Sequence, residues 1–319
     1  MSILNITNGD AAADLLRAAD IAGEIVVWRD VLHEGPVPAD LDAAALRECR
    51  ARFLAGNDWT TQDNALRLMR ERDEQLQRFS GSQIVLFFEH DLYDQLQVLQ
   101  VLDALVNVNA GINSIRIEMV SVDAYIGRPG FHGLGNLGPE EVRDLERFDV
   151  TGEHLALGRD GWAAFRAPDP TTLLAFLERD LGALPYLRAA LLRLLGEYPN
   201  TAGLSKTEEL ALQGVAAGIT SNAGLFRYVQ DNEEAPFLGD TIFFATLERL
   251  ARGPRPLLNR QDDRQDDLSL TDDGRLVLAG NKDFLAWNGI DRWIGGVHLR
   301  AGNVWRRDTD LQLQKSQLQ

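Results

Sequence analysis

Residues 83–88, QIVLFF, are apolar at every position after the first. A strand with no polar alternation has both faces covered, which happens chiefly in a parallel sheet between layers of helices. Glu89, His90 and Asp91 follow, and then LYDQLQVLQVLDAL, a helical pattern with Leu96, Leu99 and Leu102 facing inward. Buried strand, polar turn and amphipathic helix in that order point to an α/β chain.

Three other segments fit the same frame. Residues 3–7 form a short apolar strand, followed by Asn8, Gly9, Asp10 and the helical run AAADLLRAAD. Residues 25–28, IVVW, read as a second strand, with only about 20 residues between the two, enough for a helical crossover to a parallel neighbour. Helical patterns over 41–54 and 61–79 come before QIVLFF. A fourth strand over 114–122 ends in Asp123 and Tyr125. In open α/β sheets, ligands bind beyond the carboxyl ends of the strands. Three strands here end in acids or histidine, which places the candidate site at that end.

The densest stretch is residues 25–38, IVVWRDVLHEGPVP. Arg29, Asp30, His33 and Glu34 bring both charge signs and an imidazole directly off a buried strand, with Gly35 and Pro36 closing the turn. Asp30, His33, Glu34, Glu89, His90 and Asp91 are therefore the candidate catalytic residues, the histidines as general bases and the carboxylates as acids or hard oxygen ligands. Asn8, Gly9, Asp10, Arg29 and His132 are the candidate ligand-binding residues. Arg29 suits a phosphate or carboxylate held through two bonds. Asp10 equally suits a helix N-cap. His132 sits among Gly127, Gly130, Gly133, Gly135 and Gly138, a loop that reads either as a lid or as plain surface. For a metal, Asp10, Asp30 and Asp91 are the ligands to expect, with Mg²⁺ or Mn²⁺ as the ion. The same charges also fit a buried ion-pair network that ties the loops together.

Past residue 150 the character changes to helices, over 151–165, 171–181 and 186–195, and Ala167-Pro168-Asp169-Pro170 marks a domain boundary at 167/168. Ser205-Lys206-Thr207-Glu208 is a capping-box pattern opening a helix to 217. Two more helices over 222–229 and 240–250 lead to LSLTDDGRLVL, residues 268–278, read as a hairpin on an Asp-Gly turn. Three helices and a hairpin are the order of a winged helix. The helix that would read DNA carries Asp240 and Glu248 against Arg249 alone, and the segment that would form the wing is rich in aspartate, so a protein partner suits it better than DNA. Trp287, Trp293, Trp305 and His298 in the tail suggest packed strands or turns, and LQLQKSQLQ reads as disordered. The expected fold is a Rossmann-like, mostly parallel α/β domain over 1–167, with a helical, winged-helix-like domain over 168–319.

The charge excludes more than it identifies. Net charge is −16, and residues 1–150 carry 25 acidic and 13 basic side chains. That field repels a phosphate backbone, so nucleic acid is not an expected partner. A small-molecule ligand, a protein partner or a second copy of the chain remains. Cys49 is the single cysteine, no apolar run is long enough for a membrane span, and MSILNITNGD lacks a basic segment ahead of an apolar one. A cytoplasmic protein is the expectation. No HExxH, CxxC or GxSxG spacing occurs, and no haem, flavin, iron–sulfur cluster or structural zinc is expected.

At ITNGD, VVWRDVLHEGPVP, FEHDLYDQLQ, FLGDTIFF and LTDDGRLVLAG the chain resembles a bacterial family classed as domain of unknown function 1835. WRDVLHEGP is the most specific of these runs, and the resemblance covers most of the chain. It implies a bacterial, cytoplasmic protein of two parts and no particular activity. Members often begin His-Ile-Val-Asn-Gly-Asp, and Asn5 stands here in place of that histidine. From the residues themselves, two functions are in play. One is a metal-assisted hydrolase or transferase acting on a phosphorylated small molecule or nucleotide. The other is a non-catalytic, ligand-sensing regulator.

Overall fold

The computed structural model describes residues 2–109, 115–123, 133–260 and 267–316, so His132, Gly127, Gly130, Tyr125 and most of the aspartate-rich wing segment lie outside the described residues. The chain divides into two units: Met1–Ala190 with Gly295–Val297, and Leu191–Ile294 with His298–Gln319. No helix among the described residues is long and apolar enough to cross a membrane.

The first unit runs β1 (Ile3–Thr7), α1 (Asp10–Ala18), β2 (Glu24–Val27), α2 (Ala43–Gly56), α3 (Gln62–Arg78), β3 (Gln83–Glu89), α4 (Leu92–Asn109), β4 (Arg116–Val122), α5 (Pro139–Arg143), β5 (Phe148–Asp149), α6 (Gly152–Arg166) and α7 (Thr171–Leu177), with α8 (Leu187–Leu195) beginning within it. The strands form one sheet in the order β2-β1-β3-β4-β5, parallel throughout except for β5. This is an α/β architecture with a mostly parallel sheet. Strand β3 lies inside the sheet, and Ile84 to Phe88 are fully buried, as a run without polar alternation requires.

Register and handedness position the site. Thr7 pairs with both Val27 and Phe87, so Asn8 and Trp28 leave the sheet at the level of Phe88, while β3 runs on against β4 through Glu89. From β1 the chain steps to one neighbour and from β3 to the other, so right-handed crossovers put α1 and α4 on opposite faces. Val85, Phe87 and Val120 accordingly pack with Ala12, Leu16, Leu134 and Val142 on the α1–α5 side. Alternation turns Ile84, Leu86 and Phe88 toward α4. The direction of winding reverses between β1 and β3, the point at which such sheets open a crevice.

Side-chain caps start the helices where their residues predict. Asp42 accepts the Ala45 N–H at 2.8 Å and Thr61 that of Asn64 at 3.3 Å. In the second unit, Ser205 and Glu208 form the reciprocal capping box of α9 (Lys206–Ala216). There follow α10 (Asn222–Asp231), α11 (Asp240–Leu250), β6 (Leu258–Arg260), β7 (Leu268–Leu270), α12 (Asp272–Leu278), α13 (Phe284–Asn288), β8 (Arg292–Ile294), β9 (Val297–Leu299), β10 (Val304–Arg307) and β11 (Leu313–Ser316).

Two expectations are corrected here. The segment 268–278 is not a hairpin: its strand ends at Leu270 and pairs antiparallel with β6 instead. Thr271 Oγ1 accepts the Gly274 N–H at 2.8 Å, so TDDG is the first turn of α12, with Asp272 and Asp273 at the positive end of the helix. The tail, read as disordered, contributes Leu313–Ser316 as a strand paired with β10. The polar core of this unit is a closed network. Arg193 binds Glu197 at 2.8 Å and Glu233 at 2.6 Å, and Arg292 binds Glu197 at 2.9 Å. These arginines outweigh the cost of burying Glu197 and hold its carboxyl below the usual carboxylate range.

Candidate functional site

Asn8 follows β1, and its amide donates to both oxygens of Asp94, at 2.8 and 3.0 Å. Asp94 lies in the first turn of α4, is fully buried, and also accepts the backbone N–H of Glu89 at 2.5 Å. Asp91 caps the same helix, its Oδ1 accepting the Asp94 N–H at 3.0 Å. One aspartate thus starts α4, and the next locks the end of β1 to the end of β3.

Glu89 completes the cluster and lines an open cleft of about 370 Å³ together with Asn8, Gly9, Asp10, Tyr93 and Gly133. Its Oε1 accepts the Leu134 N–H at 2.8 Å. The backbone comes this close because residue 133 is glycine: at φ +150°, a Cβ there would stand 1.8 Å from Glu89 Oε2. Gly133→Ala is expected to push the Glu89 carboxyl off Leu134, at a cost of about 1–3 kcal/mol in a chemical unfolding experiment.

The three acids share one electrostatic problem. Desolvation raises the carboxyl of each above its usual range, and mutual repulsion adds to this: Glu89 acts on Asp91, and both act on Asp94. Asp91 is pushed up to about 7, the backbone N–H groups of Asp94 and Tyr93 offsetting only part of the rise. The Leu134 N–H and the Asn8 amide offset part of the rise at Glu89. Asp91 therefore holds its proton close to neutrality, and Glu89, raised for the same reason, is the member of the cluster that lines the cleft. Asp10 behaves oppositely. Arg29 binds it through Nε at 3.0 Å and through Nη2, and this hydrogen bonding holds the Asp10 carboxyl low.

The other predicted residues fall in separate surroundings. Asp30 meets Arg50 of α2, and both side chains are 1% exposed. Arg50 reaches Asp30 Oδ1 through Nη2 at 2.7 Å and Nε at 3.0 Å, and also donates to the carbonyls of Val31 and Glu34. The chain from Asp30 to Glu34 is wrapped around that guanidinium. His33 is buried, its ring centroid 6.0 Å from that of Tyr93 in an edge-on arrangement. His90 donates from Nδ1 to the Val122 carbonyl at 3.1 Å and meets Tyr186 edge-on.

Asn8, Gly9, Asp10 and Glu89 are thus brought together at one cleft, with Asp91 behind them. Asp10, Asp30 and Asp91 have three different sets of partners. Among the described residues no three His, Cys, Asp or Glu side chains stand as a metal-ligand set. Sequence reasoning missed Asp94, Tyr93 and Arg50. Asp94 carried a signal, since it stands three residues after the capping Asp91. So did Arg50, which shares the i, i+4 row of Leu46 and Leu54 and hence the inward face of α2. No protein-family model matches the chain, and no curated protein matches it.

Proposed function

We propose that the first unit is a Rossmann-like domain that binds a phosphorylated small molecule or nucleotide in the Glu89 cleft, with Glu89 moving a proton in a hydrolytic or group-transfer step. The observation that carries this is a cleft-lining carboxyl with a raised pKa, backed by two buried acids, where the winding of the sheet reverses. A carboxyl with a raised pKa protonates a leaving oxygen and then withdraws a proton from water or an acceptor hydroxyl. Phosphate oxygens suit the first-turn N–H groups of α1. A Cβ at Gly9 would meet nothing within 4 Å, so that approach is open, and Arg29 places a cation beside Asp10. A Mg²⁺ or Mn²⁺ ion arriving with the ligand would be held largely by the phosphates, with one carboxylate of the cleft.

A thermal-shift and turnover screen against nucleotides and phosphorylated metabolites, with and without Mg²⁺ or Mn²⁺, tests this. Wild type should be stabilised by at least one such compound, Asn8→Ala should lose the shift, and Glu89→Gln should bind but turn over about 10²–10⁴-fold more slowly. Turnover by Glu89→Gln at the wild-type rate contradicts the proposal, as does the absence of any ligand shift.

One observation favours the regulator as a second function. In the second unit α9, α10 and α11 are followed by the antiparallel pair β6–β7, the order of a winged helix. With Asp240 and Glu248 on α11, such a module suits a protein partner rather than DNA. In that case the ligand would change partner binding or self-association, and Glu89→Gln would leave that change intact.

A further inference from the structure

A second cavity, of about 600 Å³, opens in the first unit between α2, α3, α4 and α6, within the size range of small-molecule sites. It is lined by helices that pack on the sheet face opposite α1, and it shares no lining residue with the Glu89 cleft. Trp28, Trp162, Leu46 and Met69 supply its apolar walls.

Most of its polar groups already have partners. Arg72 lies 4.3 Å over the Trp28 ring and donates to the Arg29 carbonyl and Asp73. Arg166 lies 5.5 Å from the Trp162 ring and donates to the carbonyls of Pro38 and Leu41. Arg47 keeps donors in reserve. Among the described residues only its Nη1 has a partner, Asp73 at 2.7 Å, and its Nε is buried without one. The Nε–Nη2 edge, which grips a carboxylate through two parallel bonds, is therefore unused, and an orphaned buried N–H is costly until an oxygen reaches it. Gln100 adds a donor: its Oε1 accepts the Trp28 indole N–H at 2.8 Å, which leaves its amide N–H groups for another partner. Asp73 serves both Arg47 and Arg72, and Asp103 on the α4 wall has its carboxyl pushed up by burial, which weakens its negative charge toward a ligand.

Flat aromatic walls and a single unused guanidinium edge select a flat ligand with a single negative charge. We propose that this cavity binds a planar aromatic monocarboxylate, with its ring against the tryptophan-bearing walls and its carboxylate on Arg47. The site is independent of the Glu89 cleft and of any reaction there.

Calorimetric titration of the full chain with indole-3-carboxylate and naphthalene-2-carboxylate, each beside its neutral carboxamide, tests this. The carboxylates should bind about tenfold or more tightly than the amides, as expected for a charge-assisted pair. Arg47→Met should abolish that preference. Ala104→Phe, which fills the cavity from α4, should block both ligands while unfolding as cooperatively as wild type. The proposal is overturned if neither carboxylate binds up to millimolar concentration, if acid and amide bind equally to wild type, or if either variant binds the acid unchanged.

Discussion

Asp30→Ala is expected to lower the free energy of unfolding by about 3–5 kcal/mol, because it leaves the Arg50 guanidinium buried with its counter-charge gone. Arg50 is 1% exposed, so little of the stranded charge reaches bulk solvent. Arg50→Met should cost a similar amount, since it strands the Asp30 carboxylate and leaves the Val31 and Glu34 carbonyls without their donor. The double variant Asp30→Leu/Arg50→Met should recover much of the loss, as well-packed apolar replacements of buried pairs commonly do. Urea unfolding of the three proteins measures this. A loss below about 1 kcal/mol for Asp30→Ala would mean the pair does not anchor the loop. The effect reaches the cleft as well, because the strand end preceding that loop also delivers Arg29 to Asp10.

The second large effect is on pH dependence. Asp91 carries a proton up to about pH 7 in the folded chain, whereas an unfolded aspartate loses it near 4. Between those values the unfolded state binds fewer protons than the native state, so stability falls as pH rises from about 4 to 7 and then levels off. At 1.36 kcal/mol per unit, and with the shift shared among coupled acids, the fall amounts to about 2–4 kcal/mol. Asp91→Asn keeps an N-cap side chain that accepts the Asp94 N–H, yet has no charge to desolvate. The variant should match wild type near pH 4 and exceed it by about 2 kcal/mol or more at pH 8, a difference read from paired urea titrations. Equal stability at pH 8 would mean that Asp91 is ionised at little cost.

How far the fold could be read from residues alone depended on how much local pattern each element carries. Strand β3 was legible because only double-sided burial explains QIVLFF, and β1 and α11 were found within their observed bounds because turn or capping residues flank them. Strand β5 is two residues long and exists by pairing with β4, so no periodicity could announce it. The Asp-Gly of TDDG suits a tight hairpin as well as a helix start, and only Thr271 bonded to Gly274 decides between them. At the site, strand ends located Asn8, Gly9, Asp10, Glu89 and Asp91, because polar residues directly after buried strands are a local signal. The division of those residues into a proton-holding cluster and an arginine-anchored loop was not legible. It depends on which partner each acid meets: Asp30 meets Arg50 from 20 positions away, and Glu89 meets the Leu134 N–H, the Asn8 amide and other acids.

The upward shift of the Glu89, Asp91 and Asp94 carboxyls at the cleft is tested most directly by a pH titration of their side-chain carboxyl carbons by ¹³C NMR, with Glu89→Gln, Asp91→Asn and Asp94→Asn to assign the resonances. Asp91 should titrate near pH 7, and Glu89 and Asp94 should titrate above the usual carboxylate range, with their response changing when Asp91 is replaced. Titration of all three near pH 4, as for exposed carboxyls, would contradict it and remove the support for Glu89 as the proposed proton donor.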